Sequence, residues 1–184
     1  MDKTLSINDR LILANQYEIL SRLSNDDYEK EQFENLRDIF VSGYSRYYSL
    51  STEFFSDEVS DDECKFVVDV LSLYRDLYFS RKNSEEIQNA IVEKDVLFKG
   101  FDLNDDLEVK YYSFYRFLVE KLGRFEEIKE LVELGKIDDY NSHGFGPSMQ
   151  KLSKMITKRN EIISQKKFEK DYLTAEDITA ILQA

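Results

Sequence analysis

The chain has no tryptophan, one cysteine, one proline and one histidine, and only six glycines in 184 residues. A lone Cys64 excludes an internal disulfide and a cysteine-based zinc cluster. Glycine and proline this scarce leave few tight turns, which disfavours hairpin-rich β folds and predicts long helices. No stretch approaches the ~20 apolar residues that cross a bilayer. The opening MDKTLSINDR lacks the apolar core of a signal peptide, so a cytoplasmic protein without membrane attachment is expected. Positive charge is short as well. Lys and Arg number 25 against 37 Asp and Glu, for a net charge of −12. A surface of that sign repels phosphate and disfavours nucleic acid and anionic lipid as partners.

What the chain does have is aromatic bulk and helix punctuation. Twelve Tyr and thirteen Phe can fill a core and leave hydroxyls at its edge. Ser6 with Asp9 predicts a first helix whose buried stripe includes Ile7, Leu11, Ala14 and Leu13, Tyr17, Leu20. Asn15, four residues from both Leu11 and Ile19, is expected to point inward. Asn25-Asp26-Asp27 predicts a second start, with Phe33, Leu36 and Phe40 buried and Gly43 as the stop. Ser60-Asp61-Asp62-Glu63 is a capping box opening a long helix to about Lys82, and Ser84 caps a shorter one. Asp102 is expected to cap a helix with the stripe Leu107, Tyr111, Phe114, Leu118, Leu122, closed by Gly123. A short helix through Ile128 and Leu131 comes next. A basic helix then carries Pro147 in its first turn, and Thr174 with Asp177 starts the last. The fold class is all-α, a multihelical single domain of about seven or eight helices over residues 1–184.

Asp138–Met149, DDYNSHGFGPSM, breaks this helical pattern. It holds the only histidine, His143, and the only proline, Pro147. His143 is the one side chain whose ordinary pKa lies near neutrality, and Asp138 and Asp139 are placed to orient it. The Gly144–Gly146 backbone ahead of a helix has the form of an anion site, without a nucleotide fingerprint. Glu108 and Arg116 lie two helical turns apart, on one broad side of a helix. Arg116 and Arg124 are each able to clamp an anion or to tie helices together. The acids of Asp57–Glu63 match a helix start and are read as solvated. Asp102–Asp106 fails the calcium-loop pattern at its sixth and twelfth positions. No metal and no cofactor is expected. Between Met149 and Lys170, seven Lys or Arg against two Glu give +5, which leaves −17 for the rest. Lys151, Lys154 and Lys158 share a helical face that fits an acidic surface on a second copy.

Several segments together resemble the YfbU family. They are RLILANQY at Arg10–Tyr17, GFD at Gly100–Asp102, and Glu108, Tyr111, Arg116, Phe117, Gly123 and Arg124. HGF at His143–Phe145 and LTAEDI at Leu173–Ile178 complete the set. The chain departs from the family pattern after GFD, where it has about two extra residues, and after HGF, where the spacer is shorter. Met149 and Leu152 stand where aromatics are expected. The resemblance implies a multihelical, self-associating protein and assigns no activity. Relatives that join such a domain to a helix-turn-helix segment imply ligand-binding or regulation.

These readings converge on a non-enzymatic helical module that self-associates and binds a small molecule or a protein. Its candidate residues are His143, Arg116, Arg124, Asn15, Glu108 and Phe145. The alternative is an enzyme with His143 as general base and an arginine stabilising negative charge. A nucleic-acid-associated regulator is a third reading, which the charge disfavours.

Overall fold

Three helix starts are written into this chain as capping boxes, and all three form. Ser6 accepts the Asp9 N–H while Asp9 accepts the Ser6 N–H. Ser60 with Glu63, and Thr174 with Asp177, repeat the arrangement. Each box satisfies amide groups that a helix otherwise leaves unpaired at its start. The computed structural model in which they are seen describes residues 4–138, 140–166 and 172–184. The chain divides into two units, one running to Glu58 and the other Val59–Ala184. Among the described residues there are eight α-helices and one isolated β-bridge, the expected all-α fold.

The first unit is a helical hairpin, α1 (Ile7–Leu23) and α2 (Asp27–Ser42), followed by a 3-10 segment, Ser45–Thr52. Gly43 ends α2 at φ 73, a left-handed conformation that favours glycine. A Cβ there would also lie 2.0 Å from Arg10 Nη1. Tyr17 stacks on Phe40 at 5.8 Å, and Phe40 on Tyr48 at 5.2 Å. Glu18 accepts from Arg37 across the hairpin at 2.7 Å and from Arg22 within α1 at 2.6 Å. The expected stripe of α1 is corrected in part: Ile7, Leu11 and Leu20 are exposed. Asn15 is exposed too, against its expected inward orientation. The reason is rotational, because Leu13, Ala14, Tyr17 and Ser21 form the covered face.

The second unit is built on α3 (Asp61–Lys82), where Val67, Val70, Leu71, Leu73, Tyr74 and Leu77 are all buried. Around it run α4 (Glu85–Ala90), α5 (Asp106–Arg116), α6 (Glu126–Glu133), α7 (Met149–Gln165) and α8 (Ala175–Leu182). Helices α4, α5 and α7 pack on α3 directly. Polar ties fix the arrangement. Arg75 of α3 makes a bidentate pair with Glu127 of α6 at 2.6 and 2.7 Å, its guanidinium 4.3 Å over the Phe125 ring. Arg159 of α7 donates to Asp76 at 2.8 Å. The buried Ser80 hydroxyl accepts the Leu173 N–H at 2.9 Å, ahead of α8.

Three local expectations are corrected in this unit. Asp105, not Asp102, caps α5. Leu107 and Leu122 are exposed, whereas Tyr111, Tyr112, Tyr115, Leu118 and Val119 are buried. A π-helical turn, Phe117–Lys121, widens the end of α5 and rotates the residues beyond it. Pro147 stands one residue ahead of the Ser148 N-cap of α7, outside the helix rather than in its first turn.

Candidate functional site

Two loops meet beside α5. The Phe101 N–H donates to Tyr140 O at 3.1 Å and the Ser142 N–H to Phe101 O at 3.0 Å, which closes the β-bridge between Phe101 and Asn141. Gly100 makes this approach possible. Its φ is 101, and a Cβ would fall 1.7 Å from Tyr140 O, where no side chain fits. Asn141 organises the crossing with one oxygen, Oδ1, which accepts from Leu103 N at 3.3 Å and His143 N at 3.0 Å. Beneath lies an aromatic cluster in which Tyr115 meets Phe98, Phe101 and Tyr140.

His143 is exposed and adopts a positive φ of 49, unusual for a non-glycine residue. Its Nδ1 lies 3.3 Å from Asn141 Nδ2, which fits a neutral ring accepting at Nδ1. Its polar partner is thus an amide. Of the two acids expected to orient the ring, Asp138 is exposed, and Asp139 lies outside the described residues. Glu108 reaches the same junction from α5, accepting the Asp102 N–H at 2.7 Å. Desolvation raises its carboxyl pKa above the ordinary value; that hydrogen bond lowers it, and Asp105 and Asp102 add to the rise. Asp102 accepts from the Asn104 N–H at 2.9 Å, the turn geometry that displaced it from the cap.

The other candidates have separate partners. Arg116 is exposed, bonds Glu120 at 2.9 Å from Nη2, and lies 5.8 Å from the Tyr112 ring. Arg124 lines a cavity of about 690 Å³ with Arg75, Phe79, Lys82 and Glu130. Asn15 belongs to the hairpin unit. The structure therefore gathers His143, Phe145 and Glu108 around one loop crossing and gives Arg116 and Arg124 neighbours of their own.

A second cavity, about 440 Å³, opens beside the histidine loop. Phe145, Gly146 and Pro147 form one wall, and Tyr74, Leu97, Met155 and Leu182 line it as well. Lys94, Lys99 and Lys151 bring positive charge to it, and Asp95 the one acid. The two cavities share no lining residue. The sequence singles out Phe145 here but not Tyr74, Lys94 or Lys99. The available signal was two lysines flanking the apolar Val96–Phe98 in an acidic chain.

Fold and loops together define a small all-α protein whose candidate site is made where two loops cross beside α5. The chain belongs to the YfbU family: the YfbU domain matches residues 3–184. It is also 34% identical over 182 residues to the UPF0304 protein MJECS11 of Methanocaldococcus jannaschii, a match that covers 98% of this chain and 99% of that protein.

Proposed function

We propose that this protein is a non-enzymatic helical module that associates with a second copy of itself and binds a small molecule or protein at its loop face. One observation carries the self-association. Ile12, Ile19 and Leu23 are 56, 56 and 71% exposed, and fall within about 40° of one another on α1 at 100° per residue. They lie about half a turn from the covered face of Leu13, Ala14, Tyr17 and Ser21. With Gln16 they have the 4-3-4 spacing of a coiled-coil seam. Only Ala14 and Phe40 among the apolar residues of the hairpin are buried. A unit of this size with so small a core gains stability by covering such a stripe.

The occupant that fits is the same helix of a second copy, because seam spacing matches seam spacing in an isologous pair. In a parallel pair Gln16 meets Gln16, where two amides satisfy each other; an amide there sets register at some cost in stability. Against the enzyme reading stand the exposure of His143 and its Asn141 partner. The acidic charge and the lone cysteine support a cytoplasmic setting. Sedimentation velocity on wild type and Ile19→Glu tests the association. The wild type sediments as an oligomer and the variant, with a charge in the seam, as a monomer with unchanged helix content. An Ile19→Glu oligomer as tight as wild type overturns the reading.

A further inference from the structure

The cavity beside the histidine loop holds a feature that helix packing does not use. Tyr74 is only 6% exposed, yet it lines the cavity and hydrogen-bonds no described residue. Burial, with the Asp95 charge second, pushes its phenol well above the ordinary range, so at neutral pH it is an O–H donor. Unlike the Tyr115 hydroxyl, which is buried without a partner, the Tyr74 hydroxyl is not sealed off, and it is free to donate to an acceptor in the cavity it lines.

The charges around it have the matching sign. Lys94, Lys99 and Lys151 against Asp95 give the lining +2, in a chain of −12. Lys151 is held in place by donating to Leu182 O at 2.6 Å, on the last turn of α8. Lys94 and Lys99 form no ion pair with any described residue, so their charges remain available to a ligand. Phe145, 79% exposed, lines the same cavity beside Pro147 and brings an aromatic face to it. Such a ring offers a flat partner to another flat ring. Lysines act on phosphate or carboxylate as mobile point charges, without the planar demands of arginine.

We infer that this cavity is a binding site for a small aromatic anion. Its phosphate or carboxylate sits between Lys94, Lys99 and the Tyr74 hydroxyl, and its ring lies against Phe145 and Pro147. The assignment rests on the binding half of the proposed function and is independent of the α1 seam. It gives Phe145, and through it the histidine loop, a task. The left-handed His143 and the Asn141 hydrogen bonds position the wall of the site.

Isothermal titration of the full chain tests it, with phenyl phosphate, benzoate, inorganic phosphate and benzyl alcohol as probes at low salt. Phenyl phosphate or benzoate binds, whichever head group fits better, and benzyl alcohol does not. Reversing the two exposed lysines in K94E/K99E, with helix content checked by circular dichroism, weakens binding by roughly tenfold or more, as expected for losing charge-assisted hydrogen bonds. Phe145→Ala weakens phenyl phosphate and leaves inorganic phosphate unchanged. Failure of both aromatic anions to bind, or equal binding by K94E/K99E, overturns the assignment. Ile19→Glu separates the two proposals. It abolishes the oligomer and leaves probe binding intact, so a protein that associates but binds no probe loses only this site.

Discussion

In the larger unit Leu71, Leu77, Phe101 and Tyr115 are wholly enclosed, and α3 is covered on nearly every side. In the hairpin, helices of similar length bury Ala14 and Phe40 and leave Ile12, Ile19 and Leu23 in solvent, and Phe54 and Phe55 after them are exposed too. Composition does not explain the difference, since both segments are rich in apolar and aromatic residues. Topology does. Five helices and two crossing loops can enclose a sixth helix, whereas two helices share one seam and leave their outer faces open. The lesson is that exposed apolar surface carries information when it is ordered. Scattered leucines are normal on any protein, but a stripe at 4-3-4 spacing on the uncovered face of a helix is what the proposed self-association would cover.

The largest expected effect breaks this comparison at its two cores. Phe101→Ala removes a fully buried ring beneath the loop crossing and costs about 3–5 kcal/mol. That loss, read by urea denaturation, is the same at low and high protein concentration, because the larger unit encloses its own core. Phe40→Ala removes the one large buried side chain of the hairpin. Its loss depends on concentration, because hairpin and oligomer come apart together. Equal concentration dependence in the two variants would contradict the distinction.

A smaller effect sharpens the comparison through pH. In the hairpin, hydrogen bonds from Arg37 and then Arg22 hold the Glu18 carboxyl below its ordinary 4.5. The native state then binds that proton less readily than the unfolded chain. Its stabilising contribution is present above about pH 4.5 and is lost as pH falls through the depressed value. Glu108 has the opposite sign. Desolvation raises its folded-state value, so its ionisation lowers stability as pH rises from 4.5 through that value. Denaturation across pH 3–7 (roughly the window set by these carboxyls) should show Glu18→Gln flattening the acid limb. Glu108→Gln should flatten the decline above pH 4.5. The reverse assignment would show that these contacts do not persist in solution.

How much of this was legible beforehand depends on the range of the interaction. Ser60 and Thr174 were readable as helix starts because a capping box lies within four residues, and Ser6 because an N-cap serine is followed by an acid in the first turn; that Ser6 and Asp9 also close a box is seen in the structure. Gly43 was readable as a stop because its signal is equally local. Asp102 was misread because Asp105, three residues on, has the same chemistry; Asp102 instead accepts the Asn104 N–H in a turn, and Asp105 caps the helix. The exposure of Leu122 was missed because the π turn that precedes it, Phe117–Lys121, has no reliable sequence mark. The pairing of GFD with HGF could not be seen at all, since 40 residues separate Phe101 from Asn141 and nothing local encodes it. Phe145 was reached through the odd composition of its loop. Lys94, between Glu93 and Asp95, has the local pattern of a solvated surface, and nothing local to Lys99 ties it to the loop that carries Phe145.

Hydrogen–deuterium exchange on the full chain, at protein concentrations above and below the dissociation midpoint, tests the central claim most directly. The account predicts that amides in Ile7–Leu23 lose protection on dilution while those in Asp61–Lys82 do not, since only the first helix depends on a second copy for cover. Protection of Ile7–Leu23 that is indifferent to dilution, in a protein that remains associated, would contradict it.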